Sequence, residues 1–229
     1  MNNSESVATT VFQLGPLAIS NTVVTTWGVM LGFVLLTLLL RFSPQPSSLR
    51  NLLEALVVAI ESAIAEVLPA ASVRRVLPFV ASLWLFVLVA NLVGLIPELH
   101  APTRDLSATA ALAVLVFGST HWFGIRDRGW RQHFRDYVEP SIILLPFHII
   151  SEFTRTLALA IRLFGNIMSL EMAALLVLLI AGFLVPVPLL MLHVIEAVVQ
   201  AYIFGMLALI YIAGALEPSE SDTSAIPEE

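Results

Sequence analysis

The chain contains no cysteine and no lysine. Without thiols it builds no disulfide, no zinc–thiolate centre and no cysteine nucleophile. All eleven basic residues are arginines, which fits the codon bias of a GC-rich genome and also suits bidentate work inside a membrane. Charge itself is scarce: 12% of the 229 residues are ionic, against about a quarter in a soluble domain. With 58% hydrophobic residues and a mean hydropathy of +0.91, the polar residues cannot cover a water-soluble fold. The solvent is mostly lipid. No G-x-x-x-x-G-K-[ST] loop occurs, so ATP chemistry is not expected in this chain. No basic stretch precedes the first apolar run, the first arginine being Arg41. A cleaved secretory signal is therefore not expected, and the first forty residues are read as part of the mature protein.

What is present is a series of uncharged runs at 22–40, 76–97, 106–125, 172–192 and 197–216. Each approaches the roughly twenty residues that about 30 Å of hydrocarbon demands. Segment 52–68 differs, because Glu54, Glu61 and Glu66 interrupt it, and it reads as an amphipathic helix on the membrane surface. That reading puts Arg41, Arg50, Arg74, Arg75, Arg126, Arg128, Arg131 and Arg135 on one side and Arg104 on the other. The positive-inside rule then sets the N-terminus outside.

From residue 141 the simple alternation of spans fails. As one helix, 141–181 runs about 60 Å, twice the hydrocarbon thickness, so it must be steeply tilted. A second long helix over 187–215 follows the Pro186/Pro188 turn, where proline ends one helix and starts the next. The expected fold is an all-α integral membrane protein, one domain over 1–229, with about five membrane-embedded helices and one surface amphipathic helix. Its parts are an outer segment 1–21, spans 22–40, 76–97 and 106–125, the surface helix 52–68, and a long tilted hairpin of 141–181 with 187–215. An acidic, solvated tail, 217–229, carries Glu217, Glu220, Asp222, Glu228 and Glu229.

The first long helix carries His148, Glu152, Arg155, Arg162, Asn166 and Glu171. A charge at the centre of a membrane helix costs roughly 2.5–3.5 kcal/mol on insertion scales, so such residues mark an ion path by default. Arg155 and Arg162, seven apart, share a face, and Asn166 follows Arg162 at i+4. Glu152 is spaced to pair with Arg155. Glu171, nine residues beyond Arg162, leaves the helix about half a turn around. Arg162 thus has no carboxylate within easy reach on its own helix, and a guanidinium does not shed its proton. Its partner comes either from another chain or from Glu196 on the facing helix. On that second helix His193, Glu196 and Gln200 form one polar stripe. The stripe reads as a proton-relaying half-channel or as a hydrogen-bonded seam between helices. Asn91 reads as a packing group, and His121 with Trp122 as an interfacial anchor. Glu98, His100, Arg104 and Asp105 form an outer loop that is either an entrance or simply solvated.

The segment S151-E-F-T-R-T-L-A-L-A-I-R-L-F-G-N-I-M-S-L-E171 resembles subunit a of the F-type ATP synthase membrane sector. H-V-I-E-A-V-V-Q-A-Y-I-F at 193–204, N-L-V-G-L-I-P at 91–97 and A-P-T-R-D-L-S-A-T at 101–109 resemble it too, as does 12–30, so the likeness covers nearly the whole chain. The resemblance implies a stator subunit with two aqueous half-channels that pass protons, or Na+, to and from c-ring carboxylates. Arg162 would face those carboxylates and prevent a short circuit, with Asn166 at the same interface. Glu171, His193 and Gln200 would belong to the access path and its supporting helix pair, and Arg155 would be the basic residue upstream of the core motif. Its implied partners are the c-ring, subunit b of the peripheral stalk, the remaining ATP synthase subunits and lipid. No nucleic acid, cofactor or metal is expected. The implied location is a bacterial inner membrane, N-terminus periplasmic and C-terminus cytoplasmic.

The chain departs from the family pattern at Thr156, where proline is common, at Ala158, where serine is common, and at Glu196, one turn from His193. It is also short. Together these suggest an alternative bacterial type sometimes linked to sodium. The competing function classes are a self-contained secondary transporter, which needs internal repeats that this sequence lacks, and a structural membrane scaffold, which has little use for Arg162.

Overall fold

The computed structural model describes residues 10–14, 17–42, 48–96, 99, 101–132, 135, 143, 145–181 and 186–216. The tail 217–229, together with Glu98 and His100, lies outside them. Among the described residues, five helices are long and apolar enough to cross a membrane. They are α1 (Asn21–Phe42), α3 (Ala70–Val93), α4 (Leu106–Arg128), α5 (Leu145–Ala181) and α6 (Pro186–Leu216). A further helix, α2 (Ser48–Val67), carries the three glutamates and is not among them. It buries one stripe, Ile60 and Ile64, against α3 and leaves Leu52 and Val58 exposed.

The sequence reading assigns no strand, yet a short antiparallel hairpin, β1 (Thr10–Leu14) and β2 (Leu17–Ser20), precedes α1. Its two runs flank Gly15 and Pro16, a pair that punctuates chains at turns. Such a hairpin is too short to show a strand period.

In lipid, helices gain little from hiding apolar surface from one another, so close backbone approach and polar contacts decide the packing. The sequence of α6 supplies that approach. Ala197, Ala201, Gly205 and Ala208 form a buried stripe of small residues, and α3, α4 and α5 pack on this helix. Trp84 of α3 lies so close to Gly205 that an added Cβ would sit 2.7 Å from its Cδ2. On α4 the buried stripe is Thr109, Ala113, Val116, Thr120 and Gly124, again mostly small. By contrast α1 buries only Val29 and is the helix least enclosed by its own chain.

Between α3 and α4 the chain makes a 3₁₀ turn, Pro102–Arg104, in contact with α1, α3, α4 and α5. Asp105 then caps α4. Its carboxylate accepts from the Ser107 backbone N–H and hydroxyl at 2.9 Å and from the Thr22 hydroxyl at 3.1 Å, satisfying an orphan donor of the first turn. Burial works to push this carboxyl up, but the bonds from Ser107 and Thr22 outweigh it and hold it below its ordinary value.

Candidate functional site

At 1.5 Å per residue, the 37 residues of α5 extend about 55 Å, well beyond the about 30 Å of a hydrocarbon core. Leu159, Leu163, Ile167 and Leu170, spaced four, four and three apart, make its buried stripe. Arg162 and Glu171 leave the helix on opposite flanks of that stripe, and their environments differ sharply.

Arg162 is exposed on the surface of the chain. Its neighbours on the same helix face are small or polar, Ala158, Gly165, Asn166 and Ser169, and the exposed apolar side chains Phe153, Leu157, Ile161 and Met172 lie farther round the helix. Among the described residues it forms no hydrogen bond or ion pair, and the in-chain pairing with Glu196 is not made. An unpartnered guanidinium on a helix long and apolar enough to cross a membrane is costly. It demands a counter-ion from outside the chain.

One turn along, the Asn166 Nδ2 donates to Gln200 Oε1 at 2.6 Å, joining α5 to α6. Gln200 is buried, and its own Nε2 has no partner among the described residues. His193 is buried as well, with Nε2 3.3 Å from the carbonyl oxygen of Asn91. A carbonyl only accepts, so this contact favours the tautomer protonated on Nε2. Glu196 is half-buried on the same helix. The stripe therefore divides: His193 and Gln200 face neighbouring helices, and Glu196 lies at the edge.

Glu171 is held from a distant part of the sequence. Its Oε1 accepts from Arg104 Nη1 at 2.7 Å. The preceding Thr103 is buried, and its hydroxyl donates to Asn91 Oδ1 at 2.7 Å. Asn91 is thus a hub, its Oδ1 bound to the 3₁₀ turn and its carbonyl to His193, while its buried Nδ2 is unpartnered among the described residues. A continuous polar line runs Glu171–Arg104–Thr103–Asn91–His193 across α5, the turn, α3 and α6.

Arg155 places its guanidinium 5.5 Å from the ring centroid of Tyr211 on α6, a cation–π distance. His148 and Glu152 lie half-buried a further turn or two back along α5. Among the described residues no group of three or more His, Asp or Glu is placed to hold a metal ion. Sequence reasoning missed the Arg104–Glu171 pair. The available signal was that Arg104 is the one arginine on its side of the expected topology, and Glu171 a carboxylate with no cation on its own helix face.

A family model described as "ATP synthase A chain" matches residues 22–213. The chain is 60% identical over 217 residues to "ATP synthase subunit a 1" of Hahella chejuensis, covering 93% of this chain and 92% of that one. It is 59% identical over 222 residues to "ATP synthase subunit a 2" of Pelobacter propionicus, at 95% and 96% coverage. With "ATP synthase subunit a" of Legionella pneumophila (strain Philadelphia 1) it shares 53% identity over 212 residues, at 91% and 92%.

Proposed function

Because this chain belongs to the ATP synthase A chain family, we propose that it is the stator subunit that passes protons, or Na+, to and from a ring of c subunits. Two offset aqueous half-channels supply and drain the ring. Arg162 stands between them, attracting each ring carboxylate once it has lost its ion and barring direct leakage. Each elementary charge crossing the membrane releases about 2.3 kcal/mol per 100 mV, and this energy becomes rotation only if ions cannot bypass the arginine. The observation that carries the reading is an exposed Arg162, without a partner among the described residues, on a helix long and apolar enough to cross a membrane.

Asn166 and Gln200 join α5 to α6 beside that residue, and the buried unpartnered amide of Gln200 suits a water-lined passage. His193 and Glu196 are the titratable groups of the outer passage. Arg155, Glu152 and His148 support the cytoplasmic end of α5. The chain sits in a bacterial inner membrane with its N-terminus periplasmic, α2 on the cytoplasmic surface and its C-terminus in the cytoplasm. Its neighbours are the c-ring, subunit b of the peripheral stalk and the remaining ATP synthase subunits, which carry the nucleotide chemistry.

Arg162→Ala tests the reading in the complete complex reconstituted into vesicles. Ion-driven ATP synthesis is expected to vanish while the subunit still assembles; normal coupled synthesis in the variant refutes the assignment. Vesicles that hold this chain alone separate the secondary-transporter reading, because without a c-ring it should move no ion.

A further inference from the structure

At the end of the bundle opposite the 3₁₀ turn, the start of α3 and the ends of α4 and α6 meet around a cavity of about 330 Å³. We propose that this cavity seats the headgroup of one anionic phospholipid. Its phosphate is held by Arg126 and Arg75, and its acyl chains leave along the neighbouring apolar surface. The site takes nothing from the stator reading except that this end faces the cytoplasm.

Charge is the first argument. Asp127 is the one acid among the lining residues, and Arg75 already neutralises it, with Nη1 3.0 Å from Oδ1. Arg126, beside Asp127 on α4, is exposed and forms no hydrogen bond or ion pair among the described residues. The Ser72 hydroxyl, from the first turn of α3, has no partner among them either. The lining therefore keeps one positive charge in excess, a spare hydroxyl and the remaining N–H groups of Arg75. A phosphodiester carries one negative charge and accepts from guanidinium groups through charge-assisted bonds.

The rest of the lining is apolar, and this separates a lipid from a soluble anion. Val76 is fully buried, and Phe123 packs edge-on against Phe79 of α3 with ring centroids 6.0 Å apart, so the wall is fixed. Leu216 completes it from α6. Trp122 is 66% exposed and stands one helical turn before Arg126 on the same face of α4. An indole at the end of a span sits in the headgroup layer, and the arginine one turn on lies about 5.4 Å nearer water, at the level of lipid phosphate. Inorganic phosphate would engage the arginines and leave the apolar wall without a role.

Size points the same way. The cavity is near the lower bound of the about 300–1,000 Å³ typical of ligand sites, so it admits a headgroup and not the chains. Basic pockets between helices on the cytoplasmic side are a recurrent form of lipid site.

The test uses the complete complex in phosphatidylcholine vesicles doped with a phospholipid that carries a photoactivatable diazirine near the start of one acyl chain. The dopant is phosphatidylglycerol in one series and phosphatidylcholine in the other. Adducts are mapped by peptide mass spectrometry and normalised to all other adducts on this chain. Those at Trp122, Phe123 and Leu216 are expected to favour phosphatidylglycerol about fivefold, the effect of one basic residue on an anionic lipid. Arg126→Gln should abolish the preference without harming assembly, since its side chain has no partner in the chain to lose. Arg126→Lys should keep most of it, and Asp127→Asn should raise it.

Equal labelling by the two lipids overturns the proposal, as does a preference that survives Arg126→Gln. No adduct at these residues overturns it too, because another subunit then covers the cavity. So does suppression of the phosphatidylglycerol adducts by excess inorganic phosphate, against sodium chloride of equal ionic strength, which would mark a soluble-anion site. If Arg126→Gln does not assemble, Asp127→Asn decides: a raised preference supports the site and an unchanged one overturns it. Arg162→Ala should label like the unmodified protein, so its ATP-synthesis result judges the stator reading alone.

Discussion

Replacing Gly205 by alanine adds one methyl group at a close crossing of α3 and α6. The new Cβ would lie 2.7 Å from Trp84 Cδ2, 3.0 Å from Cγ and 3.1 Å from Cε3. Ordinary contact begins near 3.4 Å, so the shortfall is 3.4 − 2.7, or 0.7 Å. The indole is buried and packs against Tyr202 with ring centroids 5.4 Å apart, so it cannot simply swing away. Two terms oppose each other. Alanine favours a helix interior over glycine by about 1 kcal/mol, while overpacking a filled core costs typically about 1–3 kcal/mol. Because the clash falls on ring atoms next to the tryptophan's own backbone attachment, the second term should win, for a net loss of about 1–2 kcal/mol.

The strain is relieved most simply by moving α3 away from α6. That motion also strains the His193–Asn91 contact, already long at 3.3 Å and carried by the same two helices. The assay is the temperature at which the reconstituted complex irreversibly loses proton-driven synthesis, for Gly205→Ala, Trp84→Leu and the two together. Gly205→Ala should lower it, and the double variant should lose less than the sum of the singles, since the smaller side chain makes room. A Gly205→Ala complex as heat-resistant as the unmodified one, or strictly additive singles, would show that the crossing is not close-packed as described.

Two further outcomes can be checked alongside. Glu196→Gln or His193→Ala is expected to slow ion transport and move its pH profile; an unchanged rate with poorer stability in detergent would identify a helix seam. Asp105→Ala should cost about 1 kcal/mol at neutral pH, the usual value of an N-cap, while Asp105→Asn keeps most of the cap. Since the folded carboxyl is held below its ordinary value, its contribution is complete above about pH 4 and fades as pH falls through the lowered value. A thermal-stability curve against pH with the same acid limb for Asp105→Ala and the unmodified protein would contradict this.

The helices were legible because lipid simplifies the problem: a span must be apolar and long, and α1, α3, α4, α5 and α6 are both. The break between α5 and α6 was legible from Pro186 and Pro188. The hairpin at Thr10–Ser20 was not, since runs of five and four residues leave no measurable period. In the candidate site, helical spacing alone isolates Arg162, because it gives no acid on the same face of α5. The same rule is blind to partners on other elements. Arg104 meets Glu171 across 67 residues and Asn166 meets Gln200 across 34, and only tertiary packing brings them together. Asn91 reads from sequence as a packing amide, which is correct for its side chain, but nothing in its type announces that its carbonyl receives His193.

The length of α5 has a geometric consequence of its own. A rod about 55 Å long, if it is to fit within about 30 Å of hydrocarbon, must travel sideways faster than it descends. The nine residues from Arg162 to Glu171 span about 13 Å of that rod. Resolved at the same slope, they amount to about 7 Å of depth and about 11 Å of lateral displacement, roughly one helix-to-helix spacing. At that slope, two points on one helix would lie beneath different neighbours in the membrane plane, an offset an upright helix would need a second segment to provide.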